Sequence, residues 1–142
     1  MLLELRNISV HYGKAQALNA VSLQLEEGKV DALIGSNGAG KTTTLRAITG
    51  LKKPSGGEIL FRGRRIDGMA PHEIVKLGIA HAPEGRRVFS AMTVRENLDM
   101  GAYLRKDTLG VAKDFKNVFQ RFPRLMERQK QHAGLLSGGE QQ

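Results

Sequence analysis

Apolar residues near the start of the chain follow the two-residue alternation of β-strands. Gly13 and Gly28 break the pattern. The alternating positions are Leu3, Leu5, Val21, Leu23 and Leu25. Because side chains two positions apart share one face of a strand, the alternation predicts short strands over residues 2–25 in a hairpin-like arrangement.

The next segments alternate between strand-like and helix-like patterns. Residues 30–34 form a short, mostly apolar run, which is typical of a strand buried on both faces of a sheet. Asp31 interrupts this run, and because a buried carboxylate is costly unless it is paired, we expect it at the outer end of the strand or beside a donor. Residues 41–49 predict a helix that Gly50 and Pro54 end. Two further strands are predicted at residues 58–61 and 79–82, with a short helix between them at residues 71–77.

The second half of the chain is richer in helix-like patterns. Thr93 and Glu96 form a T-x-x-E capping box, which predicts a helix from there to about Leu104. A stripe of apolar residues then recurs at helical spacing until Pro123 interrupts it. The stripe consists of Val111, Phe115, Val118, Phe119 and Phe122. We therefore divide the single domain, residues 1–142, into a strand-rich part at 1–82 and a helix-rich part at 83–142.

Composition narrows the class of protein. The 142 residues include 22 Lys and Arg against 14 Asp and Glu, a formal charge of +8. Because the chain has no cysteine, disulfides, zinc–thiolate sites and a cysteine nucleophile are excluded, and the four histidines lack metal-site spacing. The apolar runs are much shorter than the ~20 residues of a membrane-spanning helix, and no signal-peptide pattern begins the chain. These features are typical of a cytosolic protein.

The positive charge raises the hypothesis of nucleic-acid binding. Arginines and lysines occur in small groups, but a nucleic-acid binder usually interleaves aromatic residues with them for base stacking. Only Phe89 and Phe122 lie close to such groups, and Phe122 already belongs to the helical stripe. The pattern favours solvated faces that attract anionic ligands or lipid surfaces, and we expect no nucleic-acid partner.

A glycine-rich loop follows the strand predicted at residues 30–34. It matches G-x-x-x-x-G-K-[ST] at every defined position. Its residues are Gly35, Ser36, Asn37, Gly38, Ala39, Gly40, Lys41 and Thr42. The glycines permit a backbone path on which successive N–H groups converge on phosphate oxygens at the positive end of a helix. The motif predicts that Lys41 lies against the β and γ phosphates of a nucleotide, that the Thr42 hydroxyl binds Mg²⁺, and that Thr43 joins the nucleotide-binding set.

A second motif, LSGGEQQ, occupies residues 136–142. Alone, Ser137 and Glu140 form a capping box, which predicts only the start of a helix. Together with the glycine-rich loop, LSGGEQQ resembles the signature sequence of ATP-binding-cassette (ABC) ATPases, and the resemblance extends along the whole chain. It implies an α/β fold: a P-loop NTPase core with an N-terminal antiparallel β subdomain and a helical subdomain, incomplete at the C-terminus.

The resemblance also implies a dimer that encloses two ATP molecules. Ser137, Gly138 and Gly139 would contact the γ-phosphate of the ATP held by a second ABC ATPase subunit, where amide groups at a helix start meet an anion. Tyr12 occupies the position of the aromatic residue that stacks on adenine; a ring packed on the sheet is the alternative. ATP and Mg²⁺ are therefore the expected cofactors.

Residues 83–89, PEGRRVF, resemble the ABC branch that serves branched-chain amino-acid importers, as does the following MTVRENL. Glu84 stands where most ABC ATPases have a glutamine facing the metal and the attacking water. A glutamate can bind Mg²⁺ and accept hydrogen bonds, but it cannot donate when ionised. Lys41, Glu84 and Ser137 are the expected catalytic residues, with an exposed loop acid as the alternative for Glu84. Arg86 and Arg87 are either a solvated pair or contacts to a membrane partner.

This branch implies ATP hydrolysis that powers the import of branched-chain amino acids. The expected partners are membrane permease subunits and, indirectly, a periplasmic binding protein, at the cytoplasmic face of the inner membrane. The family continues past the signature with an Asp-ended strand, a catalytic Glu and a switch His. We therefore expect a truncated sequence with feeble hydrolysis, since general-base catalysis contributes typically 10²–10⁴-fold. The alternatives are a soluble ABC ATPase acting on nucleic acid or ribosomes and an inactive nucleotide-binding fragment.

Overall fold

In the computed structural model, strands β1 (Leu3–Tyr12) and β2 (Ala15–Leu25) form the predicted hairpin. The two strands pair antiparallel, and the apolar side chains on one face of β1 are buried. Strand β3 (Gly56–Phe61) pairs antiparallel with the other edge of β1, and β4 (Arg64–Arg65) pairs with β3. The strand order is therefore β2-β1-β3-β4.

The structure describes residues 1–85 and 87–142, which form two units. The first unit is Met1–His81 and the second is Ala82–Gln142. Arg86, which was predicted to be solvated or to contact a membrane partner, lies outside the described residues. No helix within the described ranges is both long enough and apolar enough to cross a membrane.

Helix α1 (Lys41–Ile48) joins the core of the first unit and agrees with the helix predicted at residues 41–49. Its side chains Ala47 and Ile48 are buried in the same cluster as the apolar residues of β1 and β3. Helix α2 (Pro71–Lys76) begins with a proline, whose fixed φ suits the first turn of a helix, and it buries Ile74. Packing against the sheet thus places the start of α1 beside the hairpin.

The strands predicted at residues 30–34 and 79–82 do not form within the described residues. Val30 is 100% exposed, Ile34 is 90% exposed, and neither segment pairs with another strand. An apolar run becomes a buried strand only where neighbours accept its backbone hydrogen bonds and cover both faces. The described strands β1 to β4 pair only with one another. The predictions of a buried strand at residues 30–34 and of a strand at residues 79–82 are therefore wrong for this structure, and Asp31 avoids desolvation by lying exposed.

Helix α3 (Val94–Gly101) opens the described helices of the second unit at the predicted capping box. The backbone N–H of Glu96 donates to the Thr93 hydroxyl oxygen over 3.2 Å, and the Thr93 N–H donates to the Glu96 carboxylate over 2.7 Å. The helix ends at Gly101, earlier than the predicted Leu104. Local hydrogen bonding within one turn therefore determines where α3 begins.

Helix α4 (Thr108–Arg121) carries the predicted apolar stripe. Phe115 is buried, with 8% of its surface exposed, and the Arg95 guanidinium carbon of α3 lies 3.7 Å from its ring centroid. Phe122 is 56% exposed, so the stripe does not bury it as predicted. The reason is that the helix stops there: Pro123 begins the short helix α5 (Pro123–Glu127). A 3₁₀ turn (Ala133–Leu135) and α6 (Gly138–Gln141) complete the unit.

Candidate nucleotide-binding site

The glycine-rich loop enters helix α1 through two residues with positive φ. Gly38 has φ of +87° and Gly40, immediately before the helix, has φ of +92°. L-residues with side chains rarely adopt this region. A Cβ at Gly40 would lie 2.5 Å from Cδ2 of Leu18 and 3.1 Å from the carbonyl oxygen of Ala17, both in β2. Glycine at position 40 therefore satisfies both the backbone conformation and the close approach of β2.

The side chain of Lys41 folds back over this loop. Its Nζ donates to the carbonyl oxygen of Gly35 over 2.6 Å and to that of Ser36 over 2.7 Å. The positive charge thus lies beside the backbone that the motif assigns to phosphate binding. A phosphate would offer charged acceptors, which form stronger hydrogen bonds with an ammonium group than neutral carbonyls do.

Three threonines follow Lys41, although threonine is a poor helix former. Thr44 is 3% exposed, and its hydroxyl donates to the carbonyl oxygen of Gly40 over 3.0 Å, so this buried polar group is satisfied inside the helix. Thr42 is exposed and Thr43 is half-buried. The exposed hydroxyl of Thr42 is a hard oxygen ligand of the kind that Mg²⁺ prefers.

Acidic and histidine side chains of the described residues do not cluster into a metal site. Within the described ranges, no group of three or more such residues is placed to hold an ion. A bound Mg²⁺ would therefore depend on Thr42 together with phosphate oxygens and water, which is how this ion is commonly held beside nucleotides. The residues present fit an ion that arrives with its nucleotide.

Tyr12, at the end of β1, lies beside α1 and the turn that follows it. Tyr12 is 41% exposed, and the Nζ of Lys52 lies 4.5 Å from its ring centroid. Arg46 is the main cause of the lowered pKa of the Tyr12 phenol; burial opposes this lowering, while Thr43 and the charge of Lys52 assist it. Arg46 and Lys52 carried no signal in the sequence, because they reach Tyr12 only through the fold.

Glu84 and the signature residues belong to the second unit. The Glu84 side chain is exposed, and its backbone carbonyl oxygen accepts a hydrogen bond from Nε of Arg87 over 3.3 Å. Because Thr42 and Lys41 lie in the first unit, a shared metal and a common catalytic set with Glu84 stay predictions.

Ser137 caps helix α6 as its sequence predicted. Its hydroxyl oxygen accepts from the Glu140 N–H over 3.4 Å, and its own N–H donates to the Glu140 carboxylate over 2.9 Å. These bonds to Ser137 are the main cause of the lowered pKa of Glu140, and the charge of Arg128 adds to it. The Glu140 carboxylate already accepts the hydrogen bond of the Ser137 N–H. The backbone N–H groups of Gly138 and Gly139 are therefore the ones that could donate to an incoming anion.

The comparison with protein families agrees with this fold and loop. The model of the family described as ABC transporter matches residues 18–142. The chain belongs to the ABC transporter family, and its fold is that of the ATP-binding cassette.

Individual relatives carry names from amino-acid transport. The chain is 45% identical to the high-affinity branched-chain amino acid transport ATP-binding protein BraG of Pseudomonas aeruginosa, over 99% of this chain and 60% of that protein. It is 36% identical to BraF of the same organism, over 87% of this chain and 49% of that protein. The chain thus spans about 60% or less of these curated relatives.

A comparison with a solved structure also supports the fold. The ADP conformation of MJ1267, an ATP-binding cassette of an ABC transporter, matches with a TM-score of 0.76 at 30% identity. The match covers 99% of this chain and 60% of that one. The folded arrangement of strands, loop and helices is therefore similar to that of a cassette described with ADP.

Proposed function

We propose that the chain binds MgATP at residues 35–43 and forms part of the ATP-hydrolysing subunit of an importer for branched-chain amino acids. The position of Lys41 carries this proposal, because its ammonium group lies on the loop carbonyls of Gly35 and Ser36. A cation held at the start of a helix suits a polyphosphate, since the helix dipole favours negative charge at the same place.

Nucleotide binding would replace hydrogen bonds that Lys41 already makes within the loop. The phosphate oxygens would take the Lys41 ammonium from the two carbonyls and accept hydrogen bonds from loop amides. Mg²⁺, when bound through Thr42, would neutralise further phosphate charge. The exposed ring of Tyr12 would receive the adenine base by stacking. All these groups belong to the first unit.

Hydrolysis would need groups from the second unit and from another subunit. The Glu84 carboxylate would accept a hydrogen bond from the attacking water or bind Mg²⁺. Ser137, Gly138 and Gly139 would face the γ-phosphate of the ATP held by a second ABC ATPase subunit. The similarity to both BraG and BraF of one organism supports either a homodimer or a pair of related subunits.

The relatives' names support the proposed cargo. The similarity to BraG over 99% of the chain supports branched-chain amino acids as the transported class. Membrane permease subunits would receive the motion of the ATPase subunits, and a periplasmic binding protein would deliver the cargo. The chain would then lie at the cytoplasmic face of the inner membrane.

Co-purification tests this assignment. The tagged chain is expressed either with permease subunits of a branched-chain amino-acid importer or with those of a ribose importer, and membranes are solubilised in detergent. We expect recovery of the amino-acid permeases only. Recovery of the ribose permeases alone, or of neither set, would contradict the proposed cargo.

The charge of +8 favours one second candidate, a soluble ABC ATPase acting on nucleic acid or ribosomes. Clustered arginines, however, have acidic partners. Nη2 of Arg62 lies 2.6 Å from Oε1 of Glu27, and Nε of Arg65 lies 2.9 Å from Oδ1 of Asp67. These pairs reduce the charge available to a phosphate backbone. Filter binding distinguishes the candidates, because nucleic-acid affinity that falls steeply with salt supports the second.

A further inference from the structure

A lysine lies on the ring of Tyr12. The Nζ of Lys52, in the turn after α1, lies 4.5 Å from the ring centroid. The charge of Lys52 is one of the causes of the lowered pKa of the Tyr12 phenol, of which Arg46 is the largest. Tyr12 nevertheless stays 41% exposed. Lys52 therefore contacts the π-system while part of Tyr12 remains accessible.

The contact with Lys52 restricts the ring. A cation close to the ring centroid is attracted to the negative charge of the π-system, and it covers the face that it approaches. The torsion of a tyrosine ring about its axis is broad when nothing limits it. A cation held over the ring therefore narrows the range of ring orientations, while part of Tyr12 stays accessible to a ligand.

Lys52 is also tied to the helix that follows the phosphate loop. Its backbone N–H donates to the carbonyl oxygen of Arg46 over 3.0 Å, and Arg46 belongs to the helix that begins at Lys41. At about 1.5 Å of rise per residue, Arg46 lies roughly 7.5 Å along the helix axis from Lys41. The cation on the ring is thus held relative to the helix whose first residue is predicted to hold the phosphates.

We propose that Lys52 is a positioning residue for nucleotide-base binding, which holds Tyr12 so that its accessible part receives a purine. This inference rests on the proposed binding of MgATP at residues 35–43. It adds one residue outside the loop motif that acts through Tyr12, and it predicts that Lys52 affects binding of the base more than binding of the phosphates.

The test compares two ligands, MgATP and magnesium tripolyphosphate, the second of which has phosphates but no base. Dissociation constants are measured calorimetrically with the 142-residue chain. Lys52→Met is expected to weaken MgATP binding by about two- to fivefold more than tripolyphosphate binding, the range expected of an exposed cation–π contact. Lys52→Arg should restore the ratio, because arginine also stacks on aromatic rings.

Lys53→Met is the matched control for charge. Lys53 is the next residue and is exposed, so its loss removes the same positive charge without removing the contact to the ring. It should change the two dissociation constants by the same factor. If Lys52→Met behaves like Lys53→Met, Lys52 acts only through long-range attraction and the inference is overturned.

Lys52→Met is tested by a spectroscopic readout as well. The chain has two tyrosines, so in a Tyr103→Phe background the tyrosinate absorbance reports Tyr12 alone. Because the charge of Lys52 helps to lower the pKa of Tyr12, Lys52→Met should raise that pKa, and Lys53→Met should raise it less. An unchanged pKa together with an unchanged ligand ratio would remove Lys52 from the role.

The unmodified chain separates this inference from the proposed function. If it binds MgATP no more tightly than tripolyphosphate, the base contributes nothing and the role of Lys52 fails, while phosphate binding at the loop stands. If it binds neither ligand, the proposed nucleotide binding itself fails and this inference falls with it.

Discussion

The ammonium nitrogen of Lys41 lies 2.6 Å from the carbonyl oxygen of Gly35, the first glycine of the loop. The loop therefore begins and ends at two groups that hydrogen-bond to each other. Hydrogen bonds from a charged donor are stronger than neutral ones, so an incoming phosphate must form stronger hydrogen bonds with the ammonium group than the carbonyls of Gly35 and Ser36 do. The contribution of Lys41 to anion affinity is thus the difference in free energy between its bonds to the phosphate and its bonds to these carbonyls.

Gly40 should tolerate a side chain less well than Gly38. Alanine at either position meets an unfavourable positive φ, which costs roughly 1–2 kcal/mol. Only at Gly40 would the new Cβ also press on Leu18 and the Ala17 carbonyl; overpacking of this kind costs about 1–3 kcal/mol more. We therefore expect Gly40→Ala to lower the free energy of unfolding clearly more than Gly38→Ala.

Urea unfolding of the two alanine variants checks this expectation. Gly68→Ala is a suitable reference, because a Cβ there meets nothing within 4 Å and the glycine has no positive φ. Equal losses for Gly40→Ala and Gly38→Ala would mean that β2 does not constrain the end of the loop.

Phe115 and Phe122 should differ sharply in their contribution to stability. Phe115 is 8% exposed and contacts Arg95, whereas Phe122 is 56% exposed. Replacing a buried phenylalanine by alanine typically costs about 3–5 kcal/mol, and an exposed one costs much less. Thermal unfolding followed by circular dichroism should show a large fall in Tm for Phe115→Ala and a small one for Phe122→Ala. Similar falls in Tm for the two variants would show that the predicted stripe, rather than the observed packing, describes α4.

The capping box of α3 should make stability depend on pH. Hydrogen bonds from the Thr93 backbone N–H and hydroxyl hold the pKa of Glu96 below its ordinary value of 4.5. The folded state therefore favours the ionised form of Glu96. Its carboxylate contributes fully to the free energy of unfolding above pH 4.5, and this contribution is lost as the pH falls through the folded-state pKa. Glu96→Gln keeps an acceptor but removes the titration. Its urea midpoint should fall less steeply than that of the unmodified chain as the pH drops below 4.5; identical slopes would exclude this role.

Features that depend on one turn of chain were predictable from sequence. Thr93 with Glu96 and Ser137 with Glu140 form their capping boxes because both partners lie three residues apart and need no other element. The start of α1 at Lys41 follows from the loop motif in the same way. The hairpin of residues 2–25 was predictable because alternation specifies which face each strand buries.

Features that depend on distant neighbours were not predictable. Residues 30–34 have the composition of a buried strand, but burial is a property of the strands alongside, and the described residues supply none for this segment. The contact of Lys52 with Tyr12 likewise depends on the approach of β1 to the end of α1, which no local pattern encodes. The sequence motif identified the phosphate loop, while the surroundings of the aromatic ring needed the fold.

Calorimetric titration of the chain with MgATP, before and after Lys41→Ala, tests the central claim most directly. Loss of charge-assisted hydrogen bonds to the phosphates should weaken binding by about tenfold or more. Lys53→Ala, which removes the same charge from an exposed position outside the loop, should weaken it far less. Undiminished affinity in Lys41→Ala, with the chain still folded, would contradict nucleotide binding at residues 35–43.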